Sequence, residues 1–400
     1  MKDPLLFTPG PLSTSATVKA AMQRDIGSRD TDFIELVASI RSELLRIAGV
    51  SREEGYEAVL MQGSGTFGLE SVISSVVPRD GRFVVLANGA YGERMAAIAE
   101  RLGISTRLAR WPENESPQPA AVQRLIDEEP AATHVAMVHC ETTTGILNPI
   151  DEIARIVKGG NREFIVDAMS SFGGVPLDLS KLEIDYVISS PNKCLESVPG
   201  FCFVLARREA LEATKGRARS VSLDLLAQWE GLEGNGQFRF TPPTHVLLAF
   251  ARALEELHEE GGVSARAARY RANHEILRTG MRRLGFAEYL PMERQSNVIT
   301  SFRYPDDSNF RFDDFYQRLR TRGFVIYPGK VSQADCFRIG TIGRINEKDV
   351  RALVEAIAAE TLEFRSLLST SDEARSDDAG KLKRSTPMLD SRVARREVEE

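Results

Sequence analysis

From about residue 30 to residue 300 the chain alternates short apolar, β-branched runs with longer segments of helical periodicity, and that alternation admits few folds. Strands separated by helices need crossover connections, which pair them in parallel and lay helices over both faces of the sheet. Strands are expected at Ala58–Met61, Phe83–Leu86, His134–Val138, Phe164–Val166, Tyr186–Ile188 and Phe201–Leu205. Helices are expected at Gly68–Val77, Gly92–Leu102 and Pro149–Ile156. The fold class is therefore α/β, built on a mainly parallel sheet. After about residue 260 the rhythm changes to a charged helix at Val263–Leu284, then Ser296–Phe302, a helix around Phe312–Thr321, Phe324–Tyr327, Phe337–Thr341 and a helix at Glu347–Thr361. That succession describes a smaller α+β domain. The expected organisation is an N-terminal segment over 1–20 near the functional site, a large domain over 21–260, a small one over 261–365, and a tail over 366–400. The tail is rich in Ser, Asp, Arg and Lys, has little to pack, and is expected to be disordered.

Gly63-Ser64-Gly65-Thr66-Phe67-Gly68 follows the first strand and opens a helix, so its backbone N–H groups and the helix dipole suit a phosphate. A tight structural turn is the plain alternative. The string also satisfies GxGxxG, but a dinucleotide site needs an acidic residue at the end of the next strand, where Asn88 stands. A P-loop needs a lysine where Leu69 stands. Asp167 closes the apolar run Phe164–Val166 at the strand end, where open α/β sheets place ligand-binding groups. It could equally cap a following helix. Lys193 lies a few residues past the run Tyr186–Ile188 and 26 residues after Asp167; alone it would pass for a solvated surface lysine. A phosphate loop, a strand-end acid and a strand-end lysine in that order fit pyridoxal 5'-phosphate (PLP), whose protonated ring nitrogen gives a buried carboxylate its partner.

Composition removes competitors. A net charge of -6 leaves no basic surface for nucleic acid. There is no apolar run of roughly eighteen residues and no leader-like start, so no membrane association and a cytoplasmic location are expected. Cys140, Cys194, Cys202 and Cys336 form no CxxC pair and the 5 histidines show no ligand spacing, so reduced, mostly buried thiols and no metal are expected.

Nearly the whole span from Leu5 to about Ala358 resembles the 2-aminoethylphosphonate–pyruvate transaminases of the class-V aminotransferase superfamily. The resemblance is carried by Leu6-Phe7-Thr8-Pro9-Gly10-Pro11, Asn88-Gly89-Ala90-Tyr91-Gly92, Val138-His139-Cys140-Glu141-Thr142-Thr143-Thr144-Gly145 and Asp167-Ala168-Met169-Ser170-Ser171-Phe172-Gly173-Gly174. Asn192-Lys193-Cys194, Ser220–Leu225, Arg239–His245, and Tyr327–Gln333 leading into Phe337–Gly340 extend it. It implies a fold type I enzyme that passes the amino group of 2-aminoethylphosphonate to pyruvate, giving phosphonoacetaldehyde and L-alanine in phosphonate degradation. It implies Lys193 as the Schiff-base lysine and general base, and Asp167 against the ring nitrogen. Ser64, Gly65, Thr66 and Asn192 would hold the cofactor phosphate, joined by Thr241 from the partner of a homodimer. Tyr91 would stack on the ring and Thr142 would bond the ring hydroxyl. Arg338 would clamp the substrate carboxylate and serve the phosphonate half-reaction as well, with the backbone near Thr8–Leu12 completing the pocket. Without the resemblance, Tyr91 reads as a loop residue and Arg338 as a solvated residue on a strand.

The chain departs from the family pattern at Pro191, at Leu195-Glu196-Ser197 in place of Ile-Gln-Gly, and at Thr66-Phe67-Gly68. Competing readings are a serine or alanine–glyoxylate transaminase of the same superfamily and a non-catalytic PLP-binding protein. A desulfurase-like enzyme would need a histidine where Asn192 stands.

Overall fold

Seven strands form the central sheet of the computed structural model, which describes residues 3–307, 309–329 and 334–360. They are β1 (Tyr56–Gln62), β2 (Arg82–Ala87), β3 (Ser105–Arg110), β4 (Ala132–Val138), β5 (Glu163–Asp167), β6 (Tyr186–Ser189) and β7 (Phe201–Arg207). Their order is β1-β7-β6-β5-β4-β2-β3. The neighbours from β6 to β3 pair in parallel. Only β7 is reversed, antiparallel to both β1 and β6. The apolar runs are continuous because both faces of the sheet are covered: Val59, Val84, Ile165, Val187 and Phe203 are all 0% exposed.

All six expected strands are present, each longer by one or two residues at one or both ends. The edge strand β3, Ser-Thr-Arg-Leu-Ala-Arg, is not among the expected strands. It packs on one neighbour alone and keeps charged side chains in water, so it lacks the apolar signal of the central strands.

A second hydrophobic cluster gathers Leu277, Met281, Phe286, Phe302, Phe337 and Ile339. It lies against a three-stranded antiparallel sheet of β8 (Ile299–Arg303), β9 (Tyr327–Pro328) and β10 (Cys336–Gly340), with β10 in the centre. Phe7 joins this cluster, and Leu5–Leu6 pairs in parallel with Phe324–Val325. The strand expected over Phe324–Tyr327 is thus two short ones, Phe324–Val325 bonded to the N-terminal segment and Tyr327–Pro328 to β10. Residues 347–360 are helical. The tail over 366–400 lies outside the described residues, as does 330–333 in the motif that precedes Arg338.

Among the described residues no helix is long and apolar enough to cross a membrane. No His, Cys, Asp and Glu group there could hold a metal ion.

Candidate active site

The loop after β1 is shorter than expected, because helix α1 (Gly65–Val76) begins at the glycine itself. Gly65 and Thr66 therefore sit in the first turn, where backbone N–H groups lack intrahelical acceptors. Ser64 is the N-cap, but its hydroxyl makes no capping bond, which leaves it available to an anion. Gly63 has φ +103°, and a Cβ there would stand 2.7 Å from the Phe67 ring, so only glycine makes this turn.

Three strands along the sheet, Asp167 ends β5 at 2% exposure. Its Oδ1 accepts from the Met169 backbone N–H at 2.9 Å, a local turn rather than the helix cap considered from the sequence. Burial raises its pKa from 3.8 to about 6, opposed by the Met169 bond and by the charges of Lys193 and Arg94. A buried acid pushed up in this way is suited to a cationic partner.

Lys193 follows β6 and is half-buried. Its Nζ donates to the Pro9 carbonyl at 3.3 Å and stands 6.0 Å from the centre of the Tyr91 ring. The N-terminal segment reaches this place only because Gly10, at φ +108°, has no side chain: a Cβ would meet Asn192 O at 2.8 Å and Lys193 Cγ at 3.0 Å. Pro191 is buried, and its carbonyl accepts from the Ser197 backbone N–H at 2.9 Å, closing the loop that carries the lysine. Asn192 is half-buried beside it.

Arg338 is no solvated strand residue, since it lies on the central strand β10 at 3% exposure. Its Nε donates to Pro328 O at 3.0 Å and its Nη1 to Thr142 O at 2.7 Å, and neither bond uses Nη2. Burial lowers its proton affinity. The Thr142 hydroxyl is buried with no hydrogen-bond partner, which calls for a ligand atom. Thr241 is exposed, on a turn where Gln62 Nε2 donates to Phe240 O at 2.9 Å and Thr241 O at 3.3 Å. The structure thus gathers Lys193, Asp167, Tyr91 and Arg338 with Thr66 and Thr142 around one site, and sets Thr241 at the surface.

The aminotransferase class-V family model matches residues 13–334. The chain belongs to the class-V aminotransferases. It is 54% identical over 353 residues to a 2-aminoethylphosphonate–pyruvate transaminase of Syntrophobacter fumaroxidans, covering 88% of this chain and 95% of that one. With a transaminase of the same name from Klebsiella pneumoniae it shares 53% over 355 residues, 88% of this chain and 96% of that one. The crystal structure of pyridoxamine-pyruvate aminotransferase from Mesorhizobium loti superposes with a TM-score of 0.82 at 26% identity, covering 90% of this chain and 93% of that one.

PLP is the cofactor of this aminotransferase family, and the residues fit it. The unpartnered Thr142 hydroxyl, the buried Asp167 acid and the open helix N-terminus at Gly65 match a ring hydroxyl, a ring nitrogen and a phosphate respectively. The thiols offer no competing nucleophile: all four cysteines are free and buried, and burial pushes Cys140 and Cys202 up to about 12.

Two contributors were not read from the sequence. Arg94 stands 5.0 Å over the Tyr91 ring and donates from Nη1 to Thr66 Oγ1 at 3.2 Å. Its position three residues after Tyr91 on helix α2 (Ala90–Arg101) is the signal that could have found it. Glu141, 0% exposed, caps the same helix from another strand, because Gly89 at the N-cap has no side chain to do so. It accepts from the backbone N–H groups of Tyr91 at 3.1 Å, Gly92 at 3.4 Å and Thr143 at 3.1 Å, and from the Thr143 hydroxyl at 2.5 Å. Burial raises its pKa, against those bonds. Glu141→Gln turns an amide NH2 toward donors, so a loss of about 1–3 kcal/mol in urea unfolding is expected. Cofactor affinity should fall with it as Tyr91 shifts. An unchanged urea midpoint and an unchanged cofactor titration would remove Glu141 from this role.

Proposed function

We propose that this aminotransferase moves the amino group of 2-aminoethylphosphonate to pyruvate, giving phosphonoacetaldehyde and L-alanine in phosphonate degradation, and that it works as a cytoplasmic homodimer. The observation that carries the reading is 54% identity, over 88% of the chain, to a transaminase named for those two substrates.

When bound, PLP supplies the electron sink that makes the C–H bond beside the transferred nitrogen acidic. The residues of the chain do the rest. Lys193 would hold the cofactor through its Nζ, and the same Nζ, when free, would be the base that moves the proton from the donor carbon. Asp167 keeps the ring nitrogen protonated. Ser64, Gly65, Thr66 and Asn192 hold the phosphate, with the partner subunit's Thr241 completing the set. Tyr91 lies on the ring face, where stacking is worth on the order of 1 kcal/mol. Thr142 bonds the ring hydroxyl, and Arg338 receives the carboxylate of alanine or pyruvate.

The dimer is supported by apolar exposure around the phosphate loop: Phe67, Val221 and Phe240 are 53%, 74% and 45% exposed. Arg239 links two of them, donating to Val221 O at 3.0 Å and lying 5.2 Å over the Phe240 ring. Such a patch beside an exposed Thr241 suits a second copy of the chain. Free, buried thiols are in keeping with a reducing compartment. The division into parts at 21–260 and 261–365 is supported by the two largest hydrophobic clusters, one drawn from 33–257 and the other, apart from Phe7, from 277–357.

A coupled assay of the PLP-loaded protein, offering 2-aminoethylphosphonate, L-serine and L-alanine as donors against pyruvate and glyoxylate, tests the reading. Preference for 2-aminoethylphosphonate with pyruvate, with alanine accumulating, is expected. Turnover restricted to ordinary amino acids with glyoxylate would overturn the substrate and keep the cofactor site.

A further inference from the structure

The lysine loop and the strand of Arg338 are joined by a partly buried network of charge that the transfer reaction leaves unused. Helix α3 (Gly262–Arg283) presents Arg266, Arg269, Tyr270 and Asn273 at spacings of three and four, so the four side chains share one face. Arg266, 0% exposed, donates from Nη1 to the carbonyl of Cys194, the residue next to Lys193, at 3.1 Å. The Tyr270 hydroxyl reaches the same carbonyl at 3.3 Å and Glu196 Oε1 at 2.5 Å. Glu196 itself is 3% exposed and sits at φ +56°, with its backbone N–H on the Lys193 carbonyl at 2.8 Å.

Arg269 carries the connection onward. Its Nη2 donates to Glu196 Oε1 at 2.7 Å, and its Nη1 to the carbonyls of Gly343 at 2.8 Å and Ile345 at 3.1 Å. Those two carbonyls belong to the turn just past β10, the strand of Arg338. Asn273 holds Ile345 O as well, at 3.0 Å. Glu260 closes the charge balance, accepting from Arg266 Nε at 2.9 Å and Arg269 Nε at 2.8 Å. Two arginines and two glutamates therefore cancel, Arg266 and Glu196 buried and Arg269 and Glu260 partly exposed, and loss of any one leaves an uncompensated charge.

We propose that Glu196 and Arg269 are positioning residues that fix the separation of Lys193 from Arg338, so that the amino and carboxylate ends of an amino-acid substrate are gripped in register. The inference rests on the aminotransferase reading, with Lys193 at the amino end and Arg338 at the carboxylate end. It does not depend on either residue touching substrate. A shift of the turn at Gly343 moves β10 and with it the guanidinium, while a shift at Glu196 moves the peptide of Lys193. Small displacements of this kind cost rate steeply when two groups must meet one substrate.

The test uses the PLP-loaded protein with Glu196→Ala, Arg269→Gln and the double variant, whose buried charge is again balanced. Each single substitution should raise KM for L-alanine and pyruvate by about tenfold to a hundredfold. Propionate, an unreactive carboxylate titrated by calorimetry, should bind more weakly in parallel. The double variant should recover thermal stability but not KM or propionate affinity, because neutrality is restored and the link is not. In combination with Arg338→Lys the cost of Glu196→Ala should shrink, as expected for residues acting through one another. Normal KM and propionate affinity in all three, with only the melting temperature lowered, would make the network a structural strut and overturn the proposal. An inactive wild-type protein in the same assay would instead sink the reading beneath it.

Discussion

Lys193→Ala is expected to abolish multiple turnover. Two separate losses combine in it. In the roles proposed for Lys193, the amine that would hold the cofactor is gone, and so is the base that would move a proton from the donor carbon. A positioned general base alone contributes about 10²- to 10⁴-fold. The fold should persist, because Lys193 is half-buried and its Nζ makes one hydrogen bond, to Pro9 O. The loop that bears it is held by other atoms: the Pro191 and Cys194 carbonyls and the Glu196 carboxylate. Borohydride reduction of the loaded wild type followed by peptide mass spectrometry should find the cofactor on Lys193, and the variant should carry none. Melting temperatures near wild type would show that the loss is chemical. A variant that turns over at the wild-type rate would remove Lys193 from both roles.

How far such a site can be read from sequence depends on how local its geometry is. The loop at Gly63–Thr66, Asp167 and Lys193 each lie at or just past the carboxyl end of a strand, so a strand pattern and a few neighbouring residues place them. The sheet was legible for the same reason, as strands covered on both faces must be apolar along their length. The edge strand β3 escaped because half of its environment is water. Glu141 escaped because the helix N–H groups that it caps, those of Tyr91 and Gly92, lie about fifty residues away, and nothing in the neighbouring residues announces them. Arg338 was named by resemblance alone. Its burial follows from β10 being the central strand of a sheet whose outer strands come from Ile299–Arg303 and Tyr327–Pro328, pairings that local periodicity does not fix. The network around Glu196 is the furthest from local reading, since it links residues 196, 266, 269, 343 and 345.

Asp167→Asn should separate catalysis from stability with opposite signs. The substitution preserves shape, and the remaining carbonyl oxygen can still accept from the Met169 N–H that holds Oδ1 now at 2.9 Å. In the loaded enzyme, an amide cannot keep the ring nitrogen protonated, so turnover should fall by orders of magnitude. In the cofactor-free protein the same change should stabilise. The folded-state pKa of Asp167 is raised by burial from 3.8 to about 6, so across that interval the folded protein binds more protons than the unfolded chain. Stability from this group therefore falls as pH rises through the window, and the penalty is nearly complete about one unit above the folded-state value of about 6. The pKa difference corresponds to about 3 kcal/mol at neutral pH, an upper figure that asparagine would relieve. Denaturant unfolding of the two cofactor-free proteins should show little difference near pH 4 and a growing advantage for the variant up to about pH 7. Addition of PLP should reverse the order, since a protonated ring nitrogen gives the carboxylate its partner and gives the amide none. A variant equal to wild type in cofactor-free stability at every pH would mean that Asp167 meets no unpaired burial, and full activity in the loaded variant would remove it from the ring nitrogen.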